Sequence, residues 1–165
     1  MDQTLLQLLY EKYRQEIYLY LFSFCHDRET AEDLTQETFL KALLSLSDNH
    51  GNMRAWIYMV ARNLYFNHAK KEKRLCAWNE GDESKNRQEP LEKMLQNEQR
   101  RLLYQGLDSL KNPYKEVLLL QYFGGFSQKE IAAILHVTPE NVRILAYRAK
   151  RKLREYMEVN GYDIS

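Results

Sequence analysis

Chain breakers are few in this sequence: 165 residues carry 6 glycines and 3 prolines. No stretch alternates apolar and polar residues as a half-buried strand would, while apolar residues recur at helical period almost throughout. The fold class is therefore expected to be all-α. Cysteine is nearly absent too. Cys25 and Cys76 form no C-x-x-C pair, and no histidine stands at ligand spacing from either. Neither a structural disulfide nor a zinc site is expected, and Cys25, amid apolar residues, is expected to be a core thiol. No run approaches the ~20 apolar residues a membrane span needs. Acids and glutamines interrupt the N-terminal stretch, so no signal peptide or membrane insertion is expected. The chain reads as a soluble cytoplasmic protein.

Catalytic chemistry is missing as well. Glu29, Glu32, Asp33 and Glu37 lack the histidine three or four places on, in a second helix, that a di-metal carboxylate site needs. There is no glycine-rich phosphate loop, and no spacing supports a nucleophile with a base. The expectation is a non-enzyme with no cofactor and no metal; His136 is given no metal role.

Net charge is only +1, but the charge is sorted along the chain. Between His26 and Leu40 stand five acids and one base; between Arg62 and Arg74, five bases and one acid. Separate surfaces for separate partners are implied.

Residues 3 to 25 read as a helix with a thick apolar face from Leu5 to Phe24. "HDRET" breaks it. Thr30 is placed to cap the next helix, with Asp33 at the capping-box position, and Ala31, Leu34, Thr38, Leu43 and Leu46 supply its spacing. A third helix is expected from Met53 to about Lys73, with Trp56, Ile57, Val60, Ala61 and Leu64 on one side. Residues 77 to 88, "AWNEGDESKNRQ", are nearly free of apolar anchors and read as a flexible linker. Extended, such a tether reaches roughly 40 Å at ~3.3 Å per residue. Pro90 is expected to open a fourth helix and Pro113 a fifth, which Gly124-Gly125 ends. The expected layout is a helical domain over 1–76, a linker over 77–89, and a second helical domain over 90–165.

The second domain holds two helix starts close together. Ser127 and Glu130 have capping-box spacing, and Ile131, Ala132, Ile134 and Leu135 follow as an apolar face. Thr138 then offers a capping hydroxyl before Pro139 at the first helical position. Only His136 and Val137 separate the two helices, too few for antiparallel packing, so a helix-turn-helix is expected. Val142 and either Leu145 or Ala146 face inward. The other side presents donors and cations suited to base edges and phosphates.

Three blocks now stand in order: "AEDLTQETFLKAL" (31–43), "MRAWIYMVARNLYFNHAKKEKR" (53–74) and "LDSLKNPYKEVLLLQYFGGFSQKEIAAILHVTPENVRILAYRAKRKL" (107–153). Together they resemble the bacterial sigma factors of the extracytoplasmic function group, which carry only the second and fourth conserved regions. The resemblance implies a promoter-specificity subunit. Its partners would be core RNA polymerase (the β′ clamp and β), promoter DNA and an anti-sigma factor. It implies that Asp33, Gln36 and Glu37, with Lys41 on the same helical face, dock on the β′ clamp helices. It implies that the third helix and the loop before it capture the melted minus-ten strand, through Ser47, Asn49, Asn52, Arg62, Asn63, Phe66, Lys70, Lys71, Lys73 and Arg74. Exposed aromatics beside cations suit unstacked bases and their phosphates, and Asn63 offers both a donor and an acceptor to a flipped base. Trp56 reads as structural. The minus-thirty-five element would meet Glu140, Asn141, Arg143, Ile144 and Tyr147 at base edges, and Arg148, Lys150, Arg151 and Lys152 at phosphates.

Three positions depart from the family pattern. The loop "SDNHGN" lacks the usual aromatic near position 47 and the basic residue after it. Ile144-Leu145 stand where Ser-Arg is typical, exchanging a phosphate contact for an apolar surface suited to a thymine methyl. His136 stands where glycine is common, and histidine tolerates the left-handed backbone better than most residues. Two rival classes stand beside this reading: an autonomous dimeric DNA-binding regulator, which would bind duplex tightly without polymerase, and an enzyme, for which the sequence offers no site.

Overall fold

The computed structural model describes residues 3–45, 52–78 and 98–160. The chain divides into two compact units, Met1–Glu89 and Pro90–Ser165. Every regular element among the described residues is helical.

The first unit holds α1 (Gln3–Cys25), α2 (Arg28–Ser45) and α3 (Met53–Trp78), each packed on the other two. Ile17, Leu21 and Phe22 of α1 meet Ala31, Leu34, Phe39 and Ala42 of α2 and Ala55, Ile57 and Ala61 of α3 in one core. Two threonines share that core with the aliphatics. Thr35 and Thr38 donate to the carbonyls of Ala31 and Leu34, at 2.6 and 2.7 Å, which removes the cost of burying their hydroxyls. His26 ends α1 in the left-handed region, φ 53°, with its N–H on the Phe22 carbonyl. The expected cap of α2 is corrected. Asp27, not Thr30, takes that place: its carboxylate accepts from the Thr30 backbone N–H and from the Thr30 hydroxyl. A carboxylate here also faces the positive end of the helix. At α3, Asn52 accepts from the Ala55 N–H at 3.1 Å and is the cap. The helix runs past the expected end near Lys73, to Trp78. Of the apolar residues expected to space α2, Leu43 is only half-buried, and Leu46 lies outside the described residues.

The second unit holds α4 (Glu98–Ser109), α5 (Tyr114–Leu118), α6 (Gln128–Leu135) and α7 (Pro139–Val159). The expected helix start at Pro90 lies outside the described residues. After α5 the helix widens into a π-helical segment, Leu119–Phe123, and the turn at Gly125 takes φ +67°. Helix α7 is the spine, packed by α4, α5 and α6. Its buried line, Val142, Ala146, Ala149 and Met157, closes on Leu107, Val117, Leu118, Leu120, Ile131 and Ile134. A methyl at Gly106 would stand 2.6 Å from Leu153 Cδ1, so α4 comes close to α7 there and a larger residue would displace the end of that leucine. A buried ion pair, Lys115 Nζ to Asp108 Oδ1 at 2.9 Å, ties α5 to the end of α4.

Candidate nucleic-acid and protein interfaces

Helix α2 has two faces. Ala31, Leu34, Thr35, Thr38, Phe39 and Ala42 are buried, while Asp33, Gln36, Glu37 and Lys41 are all exposed on the opposite side. Two leucines share that outer face: Leu40 is 59% exposed and Leu44 84%. The face therefore combines charge with apolar surface. Sequence reading missed both leucines because an apolar residue in an amphipathic helix reads as core. Beside this face, Tyr10, Arg14, Gln15 and Tyr18 of α1 and Glu32, Thr35 and Gln36 of α2 line an open groove.

Helix α3 sorts its candidates along its length. Asn63, Lys70, Lys71, Lys73 and Arg74 are exposed. Asn63, Asn67, Lys70 and Arg74 follow at spacings of three and four, forming one polar stripe. Asn67 was not among the sequence candidates, although its spacing from Asn63 was the available signal. The aromatics differ from expectation. Tyr65 and Phe66 are half-buried, not free platforms. Tyr65 stacks on Phe24 at 4.9 Å, and Phe66 meets Phe24 edge-on at 5.7 Å, so α1 holds both rings. The Arg62 guanidinium lies over the Phe66 ring at 4.6 Å, a cation–π contact that covers part of that face. Asn52 has its side-chain carbonyl committed to capping α3. Ser47 and Asn49 lie outside the described residues. Trp56 is half-buried.

The helix-turn-helix forms as its sequence dictates. Glu130 N–H donates to Ser127 Oγ at 3.2 Å, and the Glu130 carboxylate accepts from the Ser127 N–H at 2.9 Å, completing the capping box. His136 takes φ 58° and ψ 44°. Thr138 Oγ1 accepts from the Asn141 N–H at 3.1 Å, with Pro139 opening α7. Ala146, rather than Leu145, is the buried partner of Val142. All nine residues proposed from the sequence to meet the minus-thirty-five element are exposed on α7. They are not equivalent. Arg143 reaches back to Glu140 at 3.9 Å, and Arg151 forward to Glu155 at 3.6 Å. Lys150 lies over the Tyr122 ring and Lys152 over the Tyr114 ring, at 5.2 and 5.4 Å. These two lysines flank the helix, so its outward centre is left to Glu140, Ile144, Tyr147, Arg148 and Arg151.

Among the described residues, no cluster of three or more His, Cys, Asp or Glu could hold a metal ion. No helix among them is long and apolar enough to cross a membrane. Cys25 is a partly buried free thiol whose pKa burial pushes upward, which makes it a poor nucleophile.

This arrangement matches known proteins over both units. The family model described as Sigma-70 region 2 matches residues 9–75, and that described as Sigma-70, region 4, matches residues 100–153. The chain is 34% identical to the RNA polymerase sigma factor YlaC of Bacillus subtilis, covering 90% of each chain. It is 28% identical to the ECF RNA polymerase sigma factor SigM of the same organism, over 88% of this chain and 91% of that one. Among solved structures, the fold resembles the sigma factor RpoE of Bartonella quintana, determined with the anti-sigma factor NepR. The TM-score is 0.76 at 21% identity, over 93% of this chain and 96% of that one. CnrH, determined with the cytosolic domain of CnrY, gives 0.70 at 21% identity, over 97% and 92%.

The chain belongs to the sigma-70 family, in its extracytoplasmic function group. It is an RNA polymerase sigma factor, a non-enzymatic subunit that directs promoter-specific initiation of transcription.

Proposed function

We propose that the two units divide the promoter between them in the cytoplasm. The first, residues 1–76, docks on the β′ clamp through Asp33, Gln36, Glu37 and Lys41. It holds the melted minus-ten strand along α3, with Asn63 at a base edge and Lys70, Lys71, Lys73 and Arg74 on phosphates. The second, residues 90–165, sets α7 in the major groove of the minus-thirty-five element, with Arg143 at a base. The tether between the two begins at 79 rather than at 77, because α3 runs on to Trp78, and it lets one molecule touch both elements. An anti-sigma protein holds the factor until it is needed, as NepR binds RpoE in the solved complex.

The observation that carries this reading is the composition of the exposed surfaces. Each helix assigned a partner presents that partner's chemistry outward: acids with leucines on α2, amides with cations on α3, cations with donors on α7. The test is reconstitution. The purified chain should co-elute with core polymerase on size exclusion and support run-off transcription from a specific promoter. Tight sequence-specific duplex binding without polymerase, and no co-elution, would identify an autonomous regulator instead.

A further inference from the structure

Helix α7 turns ~100° per residue, which sets Ile144 opposite the line of Val142, Ala146 and Ala149 that the second unit buries. Ile144 thus occupies the middle of the outward face. Tyr147, one turn on, shares that face and is 69% exposed; Ile144 is 38% exposed. Around them stand Arg143, Arg148 and Arg151, all exposed. The Ile144 side chain has no polar atom to offer a phosphate, and the Tyr147 ring adds apolar area beside it, while the tyrosine hydroxyl can still donate to a phosphate or a base edge. In a major groove, one base feature suits them: the 5-methyl group of thymine.

We propose that Ile144 and Tyr147 are specificity residues that read thymine methyl groups in the minus-thirty-five element. The inference rests on the placement of α7 in that groove given above. Three residues along a helix advance ~4.5 Å, so the two side chains meet base pairs one or two steps apart. The flanking arginines hold the helix on the duplex through phosphates or guanine, while the apolar pair selects A·T pairs at those steps.

The test uses uracil, which is thymine without the methyl. A promoter is first selected by wild-type holoenzyme from a library randomised over the minus-thirty-five element. Each thymine in the selected element is then replaced singly by deoxyuridine, and initiation is measured with wild-type, Ile144→Ala and Tyr147→Ala holoenzymes. Both side chains are exposed, and circular dichroism verifies that the variants fold. With wild type, deoxyuridine at one or two positions should lower initiation about 4-fold, the worth of one buried methyl. Ile144→Ala should lose sensitivity at one of these positions and Tyr147→Ala at the other. If base-pair changes in the element matter but no deoxyuridine does, or the deoxyuridine effects survive in both variants, the proposal falls while the placement of α7 stands. If no change in the element matters, both fall.

Discussion

The Arg54 side chain donates from Nε to Glu16 Oε1 across 2.6 Å, binding the first turn of α3 to the middle of α1. The guanidinium also lies over the Tyr58 ring at 5.4 Å. This contact fixes the helix that carries Asn63 against the helix that carries Phe24. Both charged side chains are about one-third exposed, so solvent screens the pair and its worth is about 1 kcal/mol. Glu16→Ala should therefore lower the unfolding midpoint of the first unit by about 4–8 °C, measured by thermal denaturation of the full chain. An unchanged midpoint would mean that α3 is held by apolar packing alone.

Tyr58 gives that contact a pH signature. Burial, then the nearby Glu16 carboxylate, raises its pKa well above the ordinary value. In the unfolded chain the phenol ionises near pH 10; in the folded chain it keeps its proton to higher pH. Above about pH 10 the unfolded state binds fewer protons, so stability contributed by Tyr58 is full below that pH and declines as pH rises. Relative to wild type, Tyr58→Phe should lose less stability between about pH 10 and 12, measured by urea unfolding at each pH. Parallel curves for the two proteins would contradict the assignment.

The proposed docking on polymerase uses the outer face of α2. Asp33→Ala with Glu37→Ala removes two exposed charges and no core contact. Association with core polymerase should slow by roughly 10-fold and become less sensitive to salt, because steering charges act on the encounter rate. Stopped-flow association at two ionic strengths reads both effects. A double variant that folds and associates at the wild-type rate would move the docking surface elsewhere.

Lys71 and Lys73 are exposed beyond the aromatic cluster, in the last third of α3, where the proposal assigns them to phosphates. Lys71→Ala with Lys73→Ala should weaken binding of holoenzyme to forked minus-ten templates of every sequence by the same factor. The slope of log affinity against log salt should flatten by about 1.4, two contacts at ~0.7 each for single strands. A change in sequence preference, with the salt slope untouched, would place these lysines at bases.

What the sequence made legible was local. The Ser127–Glu130 box, the Thr138-Pro139 start and the left-handed His136 all depend on neighbours within four residues, and each stands as read. Asp27 was overlooked because Thr30 with Asp33 imitates a box; the true cap is set by where His26 ends α1. The half-buried Phe66 was misread because Phe24, which packs on it and on Tyr65, lies a helix away in sequence. For the same reason the tyrosines beneath Lys150 and Lys152 were invisible. The end of α3 was placed early because the basic run Lys70–Arg74 interrupts the apolar period, although Leu75, Cys76, Ala77 and Trp78 continue the helix beyond it. The π-helical turn at Leu119–Phe123 has no signature in residue spacing.

The division of the promoter between the two units is tested most directly by one promoter library. Run-off transcription is measured across all single substitutions of both elements, with wild-type, Asn63→Ala and Arg143→Ala holoenzymes. Asn63→Ala should alter preference at one minus-ten position and leave the minus-thirty-five profile unchanged. Arg143→Ala should relax one minus-thirty-five base pair, by about 5- to 150-fold for a lost bidentate arginine contact, and leave the minus-ten profile unchanged. Profiles that scale every promoter by one factor, in either variant, would contradict base reading by that residue and with it the assignment of one element to each unit.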